Sequence, residues 1–175
     1  MKALINELLK EEEIGKLAAA VDGGLCPAVI SGVSPVHKAA VLASVMENTG
    51  LPACVVCSDD MEAKRFASDI LTFTGKKAHI LTGREYVFYN VESASRQDEQ
   101  SRICTLFDIA RGETDLVIAT IEGLMLRTVP PEVMSEISFE IKMSGEYSVE
   151  KLTEILVKAG YSRTEQVEGV GQFAL

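Results

Sequence analysis

At 175 residues the chain has room for one ordinary domain, or for one domain and part of a second. It is 47% hydrophobic and 25% charged, enough apolar material for a real core, and 26 acids against 17 bases set a formal net charge of −9. That balance argues against nucleic-acid binding through the whole surface, the lack of a run of about 18 apolar residues against a helical membrane span, and Glu11-Glu12-Glu13 near the start against a signal peptide; the expected setting is the cytoplasm.

In chain order, Leu4, Leu8, Leu9, Ile14, Leu17, Ala18 and Val21 recur at helical spacing and predict one amphipathic helix or two short ones, ended by Gly23-Gly24. The apolar run Ala28–Ser31 predicts a strand. Val36 to Asn48 predicts a helix stopping at Gly50, a favoured C-terminal residue. Its Ala-rich, nearly all-apolar sequence points to burial on several sides.

The turn between that strand and helix, Gly32 to Ala39, lies where many α/β proteins hold a nucleotide phosphate. The phosphate-cradling pattern is G-x-x-x-x-G-K-[ST]. Gly32 fills its first position and Lys38 its lysine, but His37 stands at the second glycine and Ala39 at the hydroxyl. The second glycine lets backbone amides turn in on the phosphates without a side chain in the way. The hydroxyl ligates Mg²⁺, a cation that takes oxygen ligands, and the methyl of Ala39 cannot. ATP hydrolysis is therefore not expected here. Ser34-Pro35 also makes an ordinary helix start, with Ser as N-cap and Pro at the first helical position.

Pro52 leads into a predicted strand at Ala53–Cys57. Cys54 and Cys57 have C-x-x-C spacing, but in a strand residues three apart face opposite ways and cannot share a metal or a disulfide. With no second such pair and no histidine nearby, core cysteines are expected rather than a redox or zinc site. Asp59 and Glu62 resemble a capping pair at the start of a helix whose apolar face is Ala63, Phe66, Ala67, Ile70 and Phe73, ending at Gly75. A strand at Ala78–Leu81 is followed by the aromatic stretch Tyr86-Val87-Phe88-Tyr89, a polar run from Glu92 to Arg102, and a helix through Ile103, Leu106, Phe107 and Ala110 that ends at Gly112. Leu116–Thr120 is the fourth apolar strand.

Four short apolar strands alternating with helices predict a parallel α/β sheet covered on both faces. In such sheets, sites lie beyond the carboxyl ends of the strands, here Ser31-Gly32, Ser58-Asp59, Thr82-Gly83 and Thr120. No Asp-Glu pair that would orient Mg²⁺ follows the fourth strand, and Asp59 and Asp60 read as helix-start acids, so neither catalytic nor metal-binding residues are expected.

After Leu126 the character changes. Pro130-Pro131 marks a boundary, which divides the chain into an α/β domain over residues 1–127 and the start of a small α+β domain over 128–175. Phe139–Met143 alternates and predicts a strand with one face in solvent. Ser148 caps a helix with the face Val149, Leu152, Ile155, Leu156 and Ala159, closed by Gly160. Gly171 to Leu175 reads as a strand cut short.

Several of these segments resemble a known family. Gly83-Arg84-Glu85-Tyr86-Val87-Phe88-Tyr89-Asn90, Ser95-Arg96 to Arg102, Val117-Ile118-Ala119-Thr120, Ala159-Gly160-Tyr161-Ser162-Arg163 and Gly171-Gln172-Phe173 resemble the N-terminal module of bacterial transcription-repair coupling factors (Mfd). That module is similar to the front of UvrB, a nucleotide-excision-repair protein. The resemblance implies a RecA-like sheet with a degenerate phosphate loop, in agreement with His37 and Ala39, and a second domain that recruits UvrA, the damage-recognition ATPase. It further implies a fragment of a longer ATP-dependent DNA translocase. Its motor, with ATP and Mg²⁺, and its contacts to RNA polymerase and double-stranded DNA would lie beyond Leu175, because the family pattern continues into an Arg-Gly-Gly turn and another strand. No cofactor is implied in this segment.

The family's UvrA contacts include an arginine in a Tyr-x-Arg setting after the helix of the second domain, which Tyr161-Ser162-Arg163 matches. An arginine there offers a planar fork for a partner carboxylate, or alternatively a cation for the terminal carbonyls of the helix. Family members often carry more arginines nearby. An active nucleotide hydrolase using Lys38 in a non-standard loop is the alternative for the whole chain.

Overall fold

The computed structural model describes residues 2–83 and 92–175, so the aromatic stretch Tyr86-Val87-Phe88-Tyr89 lies outside the described residues. In chain order the elements are α1 (Lys2–Leu8), α2 (Glu12–Asp22), α3 (Pro35–Thr49), β1 (Ala53–Cys57), α4 (Asp60–Thr74), β2 (His79–Leu81) and α5 (Glu92–Ala110). Then follow β3 (Leu116–Thr120), α6 (Ile121–Met125), α7 (Pro131–Ile137), α8 (Val149–Lys158), β4 (Ser162–Arg163) and β5 (Gln172–Phe173). Among the described residues no helix is long and apolar enough to cross a membrane. The chain divides into two compact units, one of Met1–Gly83 with Arg111–Leu126, the other of Arg84–Ala110 with Arg127–Leu175.

The first unit is an α/β layer on a parallel sheet of order β1-β3-β2. Ile118 pairs with Val55 on one side and Ile80 on the other, so these three side chains form a row across one face. That row belongs to a core with Ile5 of α1, Ala39 and Ala43 of α3, and Ala63 and Ile70 of α4. The opposite side of α3 buries Val41 and Val45 against Ala18 of α2, which is why nearly every position of this helix is small or apolar. Both α3 and α4 end on a left-handed glycine, Gly50 at φ 67° and Gly75 at φ 72°, each closing its helix with an N–H to the carbonyl four residues back.

Three expectations for this unit need correction. Ala28–Ser31 forms no strand: it runs exposed, with Val29 at 92%, and among the described residues no backbone hydrogen bond links it to the sheet. Apolar character alone does not make a strand, which exists through its ladder partners, and the three strands described here pair only with one another. The sheet is also not covered evenly. Central β3 is buried on both faces, but edge strand β1 leaves Cys54 and Val56 exposed. Cys57 is the buried member of that C-x-x-C pair, so only one of the two is a core cysteine.

The second unit is mostly helical. Its helix α5 includes the polar run from Glu92 and packs against α7, where Met134 is buried. β4 and β5 form a two-stranded parallel ladder, Ser162 opposite Gln172 and Arg163 opposite Phe173. The connection between them is held by Gln172, whose Oε1 accepts from the backbone N–H groups of Glu168 at 2.9 Å and Gly169 at 3.2 Å. The strand expected at Phe139–Met143 does not form. Its backbone groups are taken locally: Gly145 N–H donates to the Lys142 carbonyl at 2.9 Å, and Tyr147 Oη accepts from Lys142 N–H at 2.8 Å. Local hydrogen bonds of this kind compete directly with ladder formation.

Candidate functional site

The Gly32–Ala39 segment passes from an open turn into the first turn of α3. Gly32 has φ +75°, a left-handed conformation that favours glycine, and nothing lies within 4 Å of where a Cβ would stand. Its glycine is therefore a requirement of backbone conformation rather than of close approach. Ser34 is the N-cap: its Oγ accepts from His37 N–H at 3.4 Å and its carbonyl from Lys38 N–H at 3.0 Å. His37 and Lys38 are exposed, whereas Ala39 is wholly buried in the core cluster with Ala43, Cys57 and Ile118. A hydroxyl at position 39 would thus sit among apolar side chains.

Lys38 borders a cavity of about 630 Å³ at the carboxyl end of β1, whose lining includes Pro35, Ser58, Asp59, Glu62 and Phe66. The start of α4 is satisfied from within. Asp59 Oδ1 accepts from Glu62 N–H at 2.8 Å, and Glu62 Oε2 accepts from Ser58 N–H at 2.9 Å and from Ser58 Oγ–H at 2.8 Å. These bonds hold both carboxyls below their ordinary range. For Asp59 the Glu62 amide is the chief cause and the Ser58 hydroxyl the next; for Glu62 the Ser58 amide leads, followed by the Ser58 hydroxyl, with Lys38 adding to it. An oxyanion at this helix start would meet two ionised carboxylates. Spacing identified Asp59 and Glu62 as a pair, but not that Glu62 reaches back to Ser58, one residue before the cap.

Cys57, at the same end of β1, is pushed above the ordinary thiol range, first by burial and then by the fields of Glu62 and Asp59, with Lys38 opposing. Cys54 lies on the opposite face of β1 and is exposed. Neither arrangement produces an activated thiol pair. Among the described residues no group of three or more His, Cys, Asp or Glu side chains is placed to hold a metal.

Tyr161 and Arg163 stand at the far end of α8. The helix closes in a Schellman arrangement: Gly160, at φ +87°, donates to the Val157 carbonyl at 3.0 Å and Tyr161 N–H to the Leu156 carbonyl at 2.9 Å. With Ala159 N–H on the Ile155 carbonyl as well, the last turn needs no cation. Arg163 is exposed on β4 and forms no ion pair among the described residues. Gly32, His37, Lys38 and Ala39 belong to the first unit, Tyr161 and Arg163 to the second.

The first unit is thus an α/β domain on a parallel sheet, with its cavity at the carboxyl end of β1 beside a lysine-bearing helix. No protein-family model matches the chain. It is similar to the transcription-repair-coupling factor of Staphylococcus aureus (strain USA300), 22% identical over 153 residues, which are 87% of this chain. It is also similar to that of Staphylococcus epidermidis, 23% identical over 148 residues and 84% of this chain. The chain spans 13% of the length of these curated relatives.

Proposed function

We propose that the chain is a protein-interaction module of a transcription-repair coupling factor, a non-catalytic segment that recruits UvrA to stalled RNA polymerase. In this proposal residues 1–127 are a RecA-like domain with a degenerate phosphate loop, and residues 128–175 begin a UvrA-binding domain. The parent protein works in the cytoplasm as an ATP-dependent translocase on double-stranded DNA. ATP, Mg²⁺ and the contacts to RNA polymerase and DNA belong to other parts of it, and this segment takes no cofactor. Similarity over most of the chain supports the family. The observation that carries the interaction role is Arg163, exposed and without an ion-pair partner among the described residues, next to a helix end that is already satisfied. An unpaired guanidinium fork is suited to a carboxylate on another protein.

Immobilised UvrA tests this directly. Arg163→Glu is expected to weaken capture of the chain by about tenfold or more, while the thermal midpoint stays nearly unchanged because the side chain is exposed. Undiminished capture would remove Arg163 from the contact. The competing hydrolase reading draws on Lys38, which borders the cavity without an ion-pair partner among the described residues. Titration calorimetry with Mg-ATP separates the two, since micromolar binding that vanishes in Lys38→Ala would overturn the non-catalytic reading.

A further inference from the structure

β4 and β5 run parallel, and parallel neighbours ordinarily need a crossover of about a dozen residues or more, usually a helix. Here residues 164–171 make the connection without one. Arg163 sits in the middle of the resulting ladder. The residue before it, Ser162, donates its N–H to the Gly171 carbonyl at 2.8 Å, and the residue after it, Thr164, donates to the Phe173 carbonyl at 2.9 Å. Opposite Arg163 stands Phe173, which is buried and anchors β5. Each strand is only two residues long, and two paired strands are marginally stable on their own. The place of Arg163 therefore depends on what folds the connection back. Gly171, at φ +79°, turns the chain into β5. Within the connection the fastening comes from one half-buried side chain: Gln172 Oε1 accepts from both the Glu168 and the Gly169 amides, at 2.9 and 3.2 Å.

We infer that Gln172 is a positioning residue for Arg163: by pinning the 164–171 connection it fixes β5 beside β4 and keeps the guanidinium open to a partner's carboxylate. The inference rests on the recruitment function proposed above, with UvrA as the partner. Gln172 itself needs no contact with UvrA. It stands opposite Ser162, the neighbour of Arg163, and successive residues of a strand point to opposite faces. Two N–H donors on one amide oxygen use both its lone pairs, so this end of the side chain is spent on the loop. Glu165 and Glu168 lie in the same connection, exposed and, like Arg163, without ion pairs among the described residues. A loose connection would be free to swing either carboxylate onto Arg163 and mask it. Holding the Glu168 amide prevents that, and ordering the loop in advance lowers the entropy lost on association.

A double-mutant cycle on the UvrA affinity of the whole chain, read by biolayer interferometry, tests this. Gln172→Met keeps the length of the side chain and removes the acceptor. It is expected to weaken binding about fivefold and to speed hydrogen exchange at the Glu168 and Gly169 amides. In an Arg163→Ala background the same change is expected to cost nothing further, since a positioning residue acts only through the side chain it places. Gln172→Glu retains an acceptor for both amides and is expected to keep their slow exchange and an affinity within about twofold of wild type. Weakened capture in Arg163→Ala beside wild-type affinity in Gln172→Met would overturn the positioning role and leave recruitment standing. An equal loss from Gln172→Met with and without Arg163 would do the same, since it marks a separate contact or general destabilisation. Unchanged amide exchange in Gln172→Met would refute the pinned connection. Failure of the wild-type chain to bind UvrA would overturn both readings.

Discussion

Asp59 and Glu62 settle what the start of α4 is able to accept. Each directs its charge at Ser58 or at an amide of the helix's first turn, and each is held below the ordinary carboxylate range by those bonds. In the unfolded chain both return to ordinary values of about 4. As pH falls through that range the unfolded state takes up protons first. The contribution of these carboxyls is therefore complete above the ordinary range and is lost as pH drops through the depressed folded values. Glu62→Gln keeps an acceptor for the Ser58 amide but has nothing to titrate. Between about pH 5 and 3 its urea midpoint is expected to fall less steeply than that of the wild type. Superimposable acid limbs would show that Glu62 does not carry a depressed value.

Among the elements, the strands of the sheet contribute unequally. Ile118 is wholly buried at the centre of the row Val55, Ile118, Ile80, whereas Val56 on edge strand β1 is 55% exposed. Ile118→Ala is expected to cost about 2–5 kcal/mol in urea unfolding, from lost transfer energy plus the cavity left behind. Val56→Ala is expected to stay within about 0.5 kcal/mol. Equal costs would mean that the sheet's core does not lie on the Ile118 row. The sequence is informative about these elements where order is local and silent where it is not. Helix ends were readable because Ser34, Asp59, Gly50 and Gly75 act on their own neighbours, and each occupies the expected cap. The strands at Ala53–Cys57 and Leu116–Thr120 form as their composition predicts. Ala28–Ser31 is equally apolar and forms none, because pairing depends on a distant segment that composition does not report. Phe139–Met143 fails for a different reason: Tyr147, four residues beyond Met143, claims the Lys142 amide, and no alternation pattern reveals such a clamp. Of the candidate site residues, Lys38 stands out in the sequence as the lysine of a degenerate phosphate loop, a pattern that does not report the cavity it borders. The cavity's remaining wall, including Ser58 and Phe66, depends on how α4 packs and was not legible.

For the molecule as a whole, charge decides which contacts are open to it. Duplex DNA is bound chiefly by clustered Lys and Arg that displace its counterions. This chain carries 26 acids against 17 bases. Several of the bases are engaged with acids already: Lys10 with Glu7, Lys16 with Glu12, Lys76 with Asp115, Arg111 with Glu113 and Lys158 with Glu154. Such exposed pairs add little stability, but they dilute any basic stripe. In the proposed function DNA is held by other parts of the parent protein, so the isolated chain is expected to leave the anisotropy of a labelled random-sequence duplex unchanged, even at about 50 mM salt, where electrostatic binding is strong. Binding that weakens steeply as salt rises would place a phosphate-contacting surface on this chain and contradict that division of labour. An unchanged anisotropy, together with Arg163-dependent capture by UvrA, would leave protein recognition as the role its charge permits.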